Sequence, residues 1–153
     1  MNKYKQLKDH LQQQYDALPI KYAYSEMQFK NMLKQFETET GGRVRLLHIG
    51  HGAYILAQDE KLIDEFLESS DRELAEAMKD DDFLYDAFNY ELANHEFCYT
   101  DDISDALDAL GLSWEQIKDD QRIMRILKKA CKYQYDNAIK KQRDHPAAFL
   151  CFN

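Results

Sequence analysis

Between Pro19 and Pro146 the chain contains no proline, and four of its five glycines fall between Gly41 and Gly52. Proline and glycine are the costliest residues inside a helix, about 3 and 1 kcal/mol worse than alanine. A chain that keeps them so sparse and so localised is predicted to be mostly helix, with one non-helical region where the glycines gather. Its 153 residues suit one ordinary domain. With 44% apolar residues, ten Tyr, eight Phe and one Trp, it carries enough large side chains to build a core, which excludes disorder.

Hydrophobic spacing divides the chain further. Leu7, Leu11, Tyr15 and Leu18 recur at helical intervals, so residues 3–17 are predicted helical, stopped by Pro19. The alternating Ile20–Tyr24 segment reads as a strand. Ser25 is placed to cap a second helix, with Gln28 in the capping-box position, a stripe of Phe29, Met32, Leu33 and Phe36, and Gly41-Gly42 at its end. Arg43–Gln58 carries two apolar runs around Gly50-His51-Gly52, the pattern of a hairpin that with Ile20–Tyr24 would make a three-stranded sheet; an irregular loop is the alternative reading.

From Asp59 onward helices follow one another. One carries Leu62, Ile63, Phe66 and Leu67. A second, capped by Ser69 or Ser70, carries Leu74, Ala77 and Met78. A third opens at Asp80-Asp81-Asp82 and runs to about Phe97. Asp101–Leu110 is short and amphipathic, with Gly111 as its stop. Ser113 and Gln116 form a capping box, and the last helix runs from about Gln121 to Lys141. Pro146 ends it before an apolar tail, Ala147–Phe152. The expected fold is α+β: a helix-dominated single domain over residues 1–153 with a small antiparallel sheet near the N-terminus.

No apolar run reaches the roughly 18 residues of a membrane span. The N-terminal stretch is charged and amphipathic, without a signal-peptide core. Cys98, Cys131 and Cys151 make an odd count, which argues against a disulfide framework. A cytoplasmic protein with reduced thiols and no membrane partner is expected.

The net charge of -8 hides a strong asymmetry. Residues 59–120 hold 21 Asp and Glu against 4 Lys and Arg, while the remainder holds 7 against 16. Either these acids lie on solvated helix faces and pair with the basic flanks, or they form a surface that competes with nucleic acid for a basic groove. The bases Arg122, Arg125, Lys128, Lys129, Lys132, Lys140 and Lys141 gather on the last helix, but an acidic domain repels nucleic acid. Pairing with the acidic segment is the expected role of these bases, and no direct nucleic-acid binding is expected. Tyr22 and Tyr24 alternate with apolar neighbours, so they read as sheet-face residues rather than base-stacking platforms.

One polar triplet stands out. If Asp82–Cys98 is a single helix at 100° per residue, then Glu91, His95 and Cys98 fall inside the apolar stripe of Leu84, Phe88 and Leu92. A second stripe, Phe83, Tyr90 and Phe97, marks another buried side. A buried carboxylate and imidazole must be paired. In one solution Glu91 bonds His95 one turn on and Cys98 packs as a small apolar group. In the other, His95 and Cys98 bind zinc together with Cys131, with His48, His51 or Cys151 as further ligand candidates. Catalytic motifs are incomplete. His95-Glu96 lacks the second histidine of the zinc-protease helix, and no phosphate-binding glycine loop or nucleophile elbow occurs. A non-enzymatic protein is expected.

Leu18–Ser25 with the following Gln28 and Phe29, and Tyr85–Cys98 with the following Leu107–Leu112, resemble a family of small acidic proteins carried by bacterial phages and mobile elements. The similarity covers most of residues 18–130. The resemblance implies action against host defences. In that setting anti-CRISPR proteins block the RNA-guided DNA nuclease of type II systems, and at least one is said to hold zinc. On this reading the protein inhibits a basic nucleic-acid-binding host protein, a CRISPR nuclease among the candidates. The resemblance carries over no active residues; the expected contact surface comes from the acidic segment and is Asp80, Asp81, Asp82, Asp101, Asp102, Asp105 and Asp108.

Overall fold

A computed structural model describes residues 1–144. Pro146, the apolar tail and Cys151 lie outside the described residues. The chain divides into two compact units, Asp9–Glu73 and Met1–Lys8 with Leu74–Asn153. Helix-dominated α+β architecture with a three-stranded antiparallel sheet near the N-terminus matches the expectation.

The Asp9–Glu73 unit is built around that sheet. Helix α1 (Lys3–Asp16) enters it, followed by β1 (Lys21–Tyr22), α2 (Glu26–Thr40), β2 (Leu46–Gly50), β3 (Ala53–Leu56) and the larger part of α3 (Glu60–Ala77). Strand order is β1-β3-β2, with Lys21 opposite Tyr54 and Leu47 opposite Ile55. Ala23, Met32 and Phe36 are its buried cluster, with Phe29, Val44, Leu46, Tyr54 and Leu56 packed against them. Ser25 caps α2 as predicted, accepting from the Gln28 backbone N–H. The Gln28 carboxamide, however, accepts the Tyr24 N–H at 2.7 Å rather than that of Ser25. Gly41, at φ 79, ends the helix in the left-handed conformation that lacks a Cβ penalty.

The hairpin forms where the glycines predict it. Gly52 has φ +73, and a Cβ there would stand 2.7 Å from Tyr24 Cε1 and 2.9 Å from the Ala23 carbonyl oxygen. Gly52→Ala therefore meets both a strained backbone and an immediate clash. We expect it to cost about 1–2 kcal/mol, read as a lower urea midpoint.

Two helices predicted on either side of Ser69-Ser70 are one continuous α3. The serines look like caps in sequence, but Ser70 Oγ donates back to the Phe66 carbonyl at 2.7 Å and Ser69 Oγ donates to Glu73 at 3.3 Å. Back-bonding of this kind satisfies a serine inside a helix, so no break is needed.

The other unit centres on α4 (Asp81–Asn94) and α8 (Gln121–Asp144), joined by the short helices α5 (Phe97–Thr100), α6 (Ser104–Ala109) and α7 (Trp114–Ile117). Its core holds Tyr4, Leu84, Ala87, Phe88, Leu92, Phe97, Leu107, Ile117, Leu127 and Ala130 among others. Asp80 caps α4 through the Phe83 N–H. Gly111, at φ 65, stops α6, and the Leu112 N–H returns to the Leu107 carbonyl. Ser113 and Gln116 form the full predicted capping box.

The third predicted helix is shorter than expected. It ends at Asn94, His95 closes it, Glu96 turns left-handed at φ 54, and Phe97 begins α5. This turn places Phe97 in the core with 4% exposure. A continuous helix to Cys98 is corrected accordingly.

Candidate functional site

Glu91 is the one charged residue buried among the described residues, with 1% exposure. The helical stripe of α4 puts it inside, and two side chains from the first turns of α1 meet it there. Tyr4 Oη donates to Glu91 Oε1 at 2.6 Å, and Lys8 Nζ donates to the same oxygen at 2.9 Å. The second oxygen, Oε2, has Asn94 Nδ2 and His95 Nε2 each at 3.5 Å. Lys8 Nζ also lies over the rings of Tyr4 and Tyr90, 5.4 and 4.9 Å from their centroids. A cation above two ring faces gains from their quadrupoles as well as from the carboxylate.

Burial by itself would push the Glu91 carboxyl up. The hydrogen bonds from Tyr4 and Lys8, and the charges of Lys8 and His95, outweigh it and hold the group below the ordinary carboxylate range. Tyr4 moves the other way: burial, then its bond to Glu91, raises the phenol. The cluster is a closed structural pairing, and every oxygen of Glu91 is engaged. The predicted Glu91–His95 proximity is present, while Tyr4 and Lys8 were missed. Tyr4 lies three residues before Leu7 on the same helical stripe, and that spacing was a signal it would turn inward.

The predicted metal residues are distributed over separate elements. His95 follows α4, Cys98 sits on α5 and Cys131 on α8. Both thiols are free and half-buried, and both act electrostatically on the phenol of Tyr135. Burial raises the Cys131 thiol. Among the described residues no group of three or more His, Cys, Asp or Glu side chains is arranged to hold a metal ion. In the other unit, His48 stacks on Tyr54 at 4.8 Å, and His51 occupies the hairpin turn at φ 48.

The seven predicted contact acids fall into two groups. Asp80, Asp81 and Asp82 meet the protein's own bases. Lys3 lies 3.2 Å from Asp80 and 3.7 Å from Asp82, and Arg122 and Arg125 reach Asp81 at 2.6 and 3.1 Å. Two of the bases on α8 thus pair internally, as expected. These pairs are exposed, where solvent and salt screen them and each adds little to stability. The second group is Asp101, Asp102, Asp105 and Asp108, all exposed and within eight residues. Asp101 accepts the Tyr135 hydroxyl, which raises that phenol to about 12. Asp102 accepts the Ser104 N–H at 2.8 Å. Asp105 and Asp108 make no ion pair among the described residues. None of the four carboxylates is neutralised by a lysine or arginine there.

The model of a family of unknown function, DUF7659, matches residues 3–133, from α1 through most of α8. No curated protein and no solved structure matches the chain.

Proposed function

From the premise that this chain belongs to the DUF7659 family of unknown function, we propose that it is a non-enzymatic inhibitor that binds a basic nucleic-acid-handling protein through an acidic surface. The observation that carries the reading is the run of exposed carboxylates Asp101, Asp102, Asp105 and Asp108, unneutralised by any base among the described residues. Asp80, Asp81 and Asp82 take a smaller part than expected, because Lys3, Arg122 and Arg125 already screen them. An anionic patch of this kind steers association with a cationic groove and competes there with phosphates. The buried, fully bonded Glu91 supports a structural rather than catalytic role for the polar cluster. No helix among the described residues is long and apolar enough to cross a membrane, which agrees with action in the cytoplasm.

The type II RNA-guided nuclease is the specific target proposed. The native chain is expected to inhibit cleavage of target DNA by the guide-loaded nuclease, with affinity that falls as salt rises. Changing Asp101, Asp102, Asp105 and Asp108 together to lysine is expected to weaken inhibition at least about tenfold, the effect of 1.4 kcal/mol. Poly-arginine measured in parallel reports on the surface alone. Binding to poly-arginine without inhibition of the nuclease would keep the acidic surface and discard this target. Equal inhibition by native and quadruple variant would discard the surface. Zinc held by His95, Cys98 and Cys131 is a second reading, resting on the two free, half-buried thiols, and metal analysis of the same purified sample decides it.

A further inference from the structure

Arg43, Val44 and Arg45 connect the glycine stop of α2 to β2. Val44 packs on the buried cluster of Ala23, Met32 and Phe36, and the arginines on either side of it are exposed. Both arginines line one cavity of about 390 Å³, which runs from the end of α2 to the end of β3. Its two backbone walls are tethered. The N–H groups of Gly41 and Gly42 donate to the Glu37 carbonyl at 2.9 and 3.1 Å, and the Ala57 N–H donates to the Arg45 carbonyl at 2.8 Å. A ligand that enters here finds a backbone already ordered, which lowers the entropy cost of binding.

The charge of this cavity is unbalanced. No Asp or Glu lines it; Asp59 and Glu60 follow Gln58 in the chain but lie outside the lining. The side chains of Arg43 and Arg45 form no ion pair or hydrogen bond among the described residues, whereas Arg122 and Arg125 share Asp81. Two like charges lining one cavity repel each other, and a bound anion relieves that repulsion. The net charge of -8 does not oppose this. Exposed charges farther away than a Debye length, about 8 Å at physiological salt, are largely screened.

We infer that this cavity binds the phosphate group of a small phosphate monoester. Such a group carries a charge of about -1.5 to -2 at neutral pH, so a single group answers both guanidinium ions. A carboxylate brings one charge and leaves the second arginine unmet. The planar guanidinium fork also pairs phosphate oxygens two at a time, which a lysine does not. Gln58, exposed and without a hydrogen-bond partner among the described residues, adds a neutral carboxamide donor. Val44 and Leu56, both half-buried, give the carbon body of the ester an apolar surface to lie on. The site belongs to the Asp9–Glu73 unit and the acidic run of Asp101–Asp108 to the other. It does not rest on the function proposed for that run.

The test is an NMR titration of the intact chain, at constant ionic strength, with inorganic phosphate, a nucleoside 5′-monophosphate and acetate. Both phosphate probes are expected to give saturable shifts at the amides of Gly42, Val44, Arg45 and Gln58, and acetate none. Affinity should fall from pH 7 to pH 5, because the second phosphate ionisation lies near 6 and no side chain lining the cavity titrates in that range. Arg43→Gln and Arg45→Gln should each weaken binding at least about tenfold, with unchanged circular dichroism. The double variant Arg43→Lys/Arg45→Lys, which keeps the charge and loses the forks, should bind more weakly than the native chain and more tightly than Arg43→Gln/Arg45→Gln. Absence of saturable shifts with both phosphate probes overturns the inference. So does saturation by acetate at the same concentration, or native affinity in both glutamine variants. Binding of a phosphoserine peptide without binding of either phosphate probe overturns the small-molecule ligand and assigns the cavity to a protein partner.

Discussion

Glu91→Ala is expected to destabilise the protein by about 2–3 kcal/mol, less than the 3–5 kcal/mol of a fully buried pair. Two partners are stranded by the change, and they respond differently. The Tyr4 hydroxyl is buried and loses its acceptor, which leaves an unsatisfied donor in the core. The Lys8 side chain is 44% exposed and can return its ammonium to water, which is why the expected loss sits below the fully buried case. Glu91→Gln retains an acceptor for Tyr4 and should cost less than Glu91→Ala. In a cycle with Tyr4→Phe, the double variant should lose less than the sum of the singles, because the two groups share one contact. Urea midpoints at constant slope measure all of these. If Glu91→Ala shifts the midpoint by no more than an exposed acid such as Asp108→Ala does, the pairing is not holding α1 to α4.

The same cluster sets a pH dependence. The Glu91 carboxyl is held below its ordinary range in the folded chain. A carboxyl depressed by folding adds stability that is fully present above its unfolded value and is lost as pH falls through the folded one. Wild-type stability should therefore decline from the ordinary glutamate range downward, and the decline should be shallower in Glu91→Gln, which has no proton to take up.

Phe88→Ala is expected to cost about 3–5 kcal/mol, the largest effect of any single truncation here. Phe88 is fully buried on α4, in the core cluster that includes Leu84, Leu92, Leu107, Ile117 and Leu127. Its removal forfeits the transfer energy of the ring and leaves a cavity that close-packed neighbours fill only in part. Against a total stability of about 5–15 kcal/mol for an ordinary domain, that loss is a large fraction. A drop in melting temperature measured by calorimetry is the readout. A shift no larger than that of Gly52→Ala would show that Phe88 is not central to its core.

Local chemistry was the legible part of this fold. Ser25, Ser113 and Gly111 act where the sequence places them, because a cap involves only residues three or four positions apart. The hairpin at Gly50-His51-Gly52 follows from positive φ angles that glycine alone adopts freely. Where a residue had two local options, the sequence misled. Ser69 and Ser70 can cap a helix or back-bond within one, and the long apolar face of α3 favoured the second. Glu96 carries no sign of a left-handed turn, since only the placement of Phe97 in the core demands one.

The candidate sites divide in the same way. Helical periodicity marked Glu91 as buried, but its partners Tyr4 and Lys8 lie 87 and 83 residues earlier, and no pattern of nearby residues names them. Composition located the acids between residues 59 and 120, while the split into the screened Asp80–Asp82 and the unneutralised Asp101–Asp108 came from where Lys3, Arg122 and Arg125 arrive. The alternation of Tyr22, Ala23 and Tyr24 fixed that the two rings share a face, and only the packing of Ala23 decided that this face is outward. Periodicity and capping act over a few bonds and can be read along the chain. Which charge is met, and by what, depends on segments brought together by the burial of Phe88 and its neighbours, and that is a property of the tertiary structure.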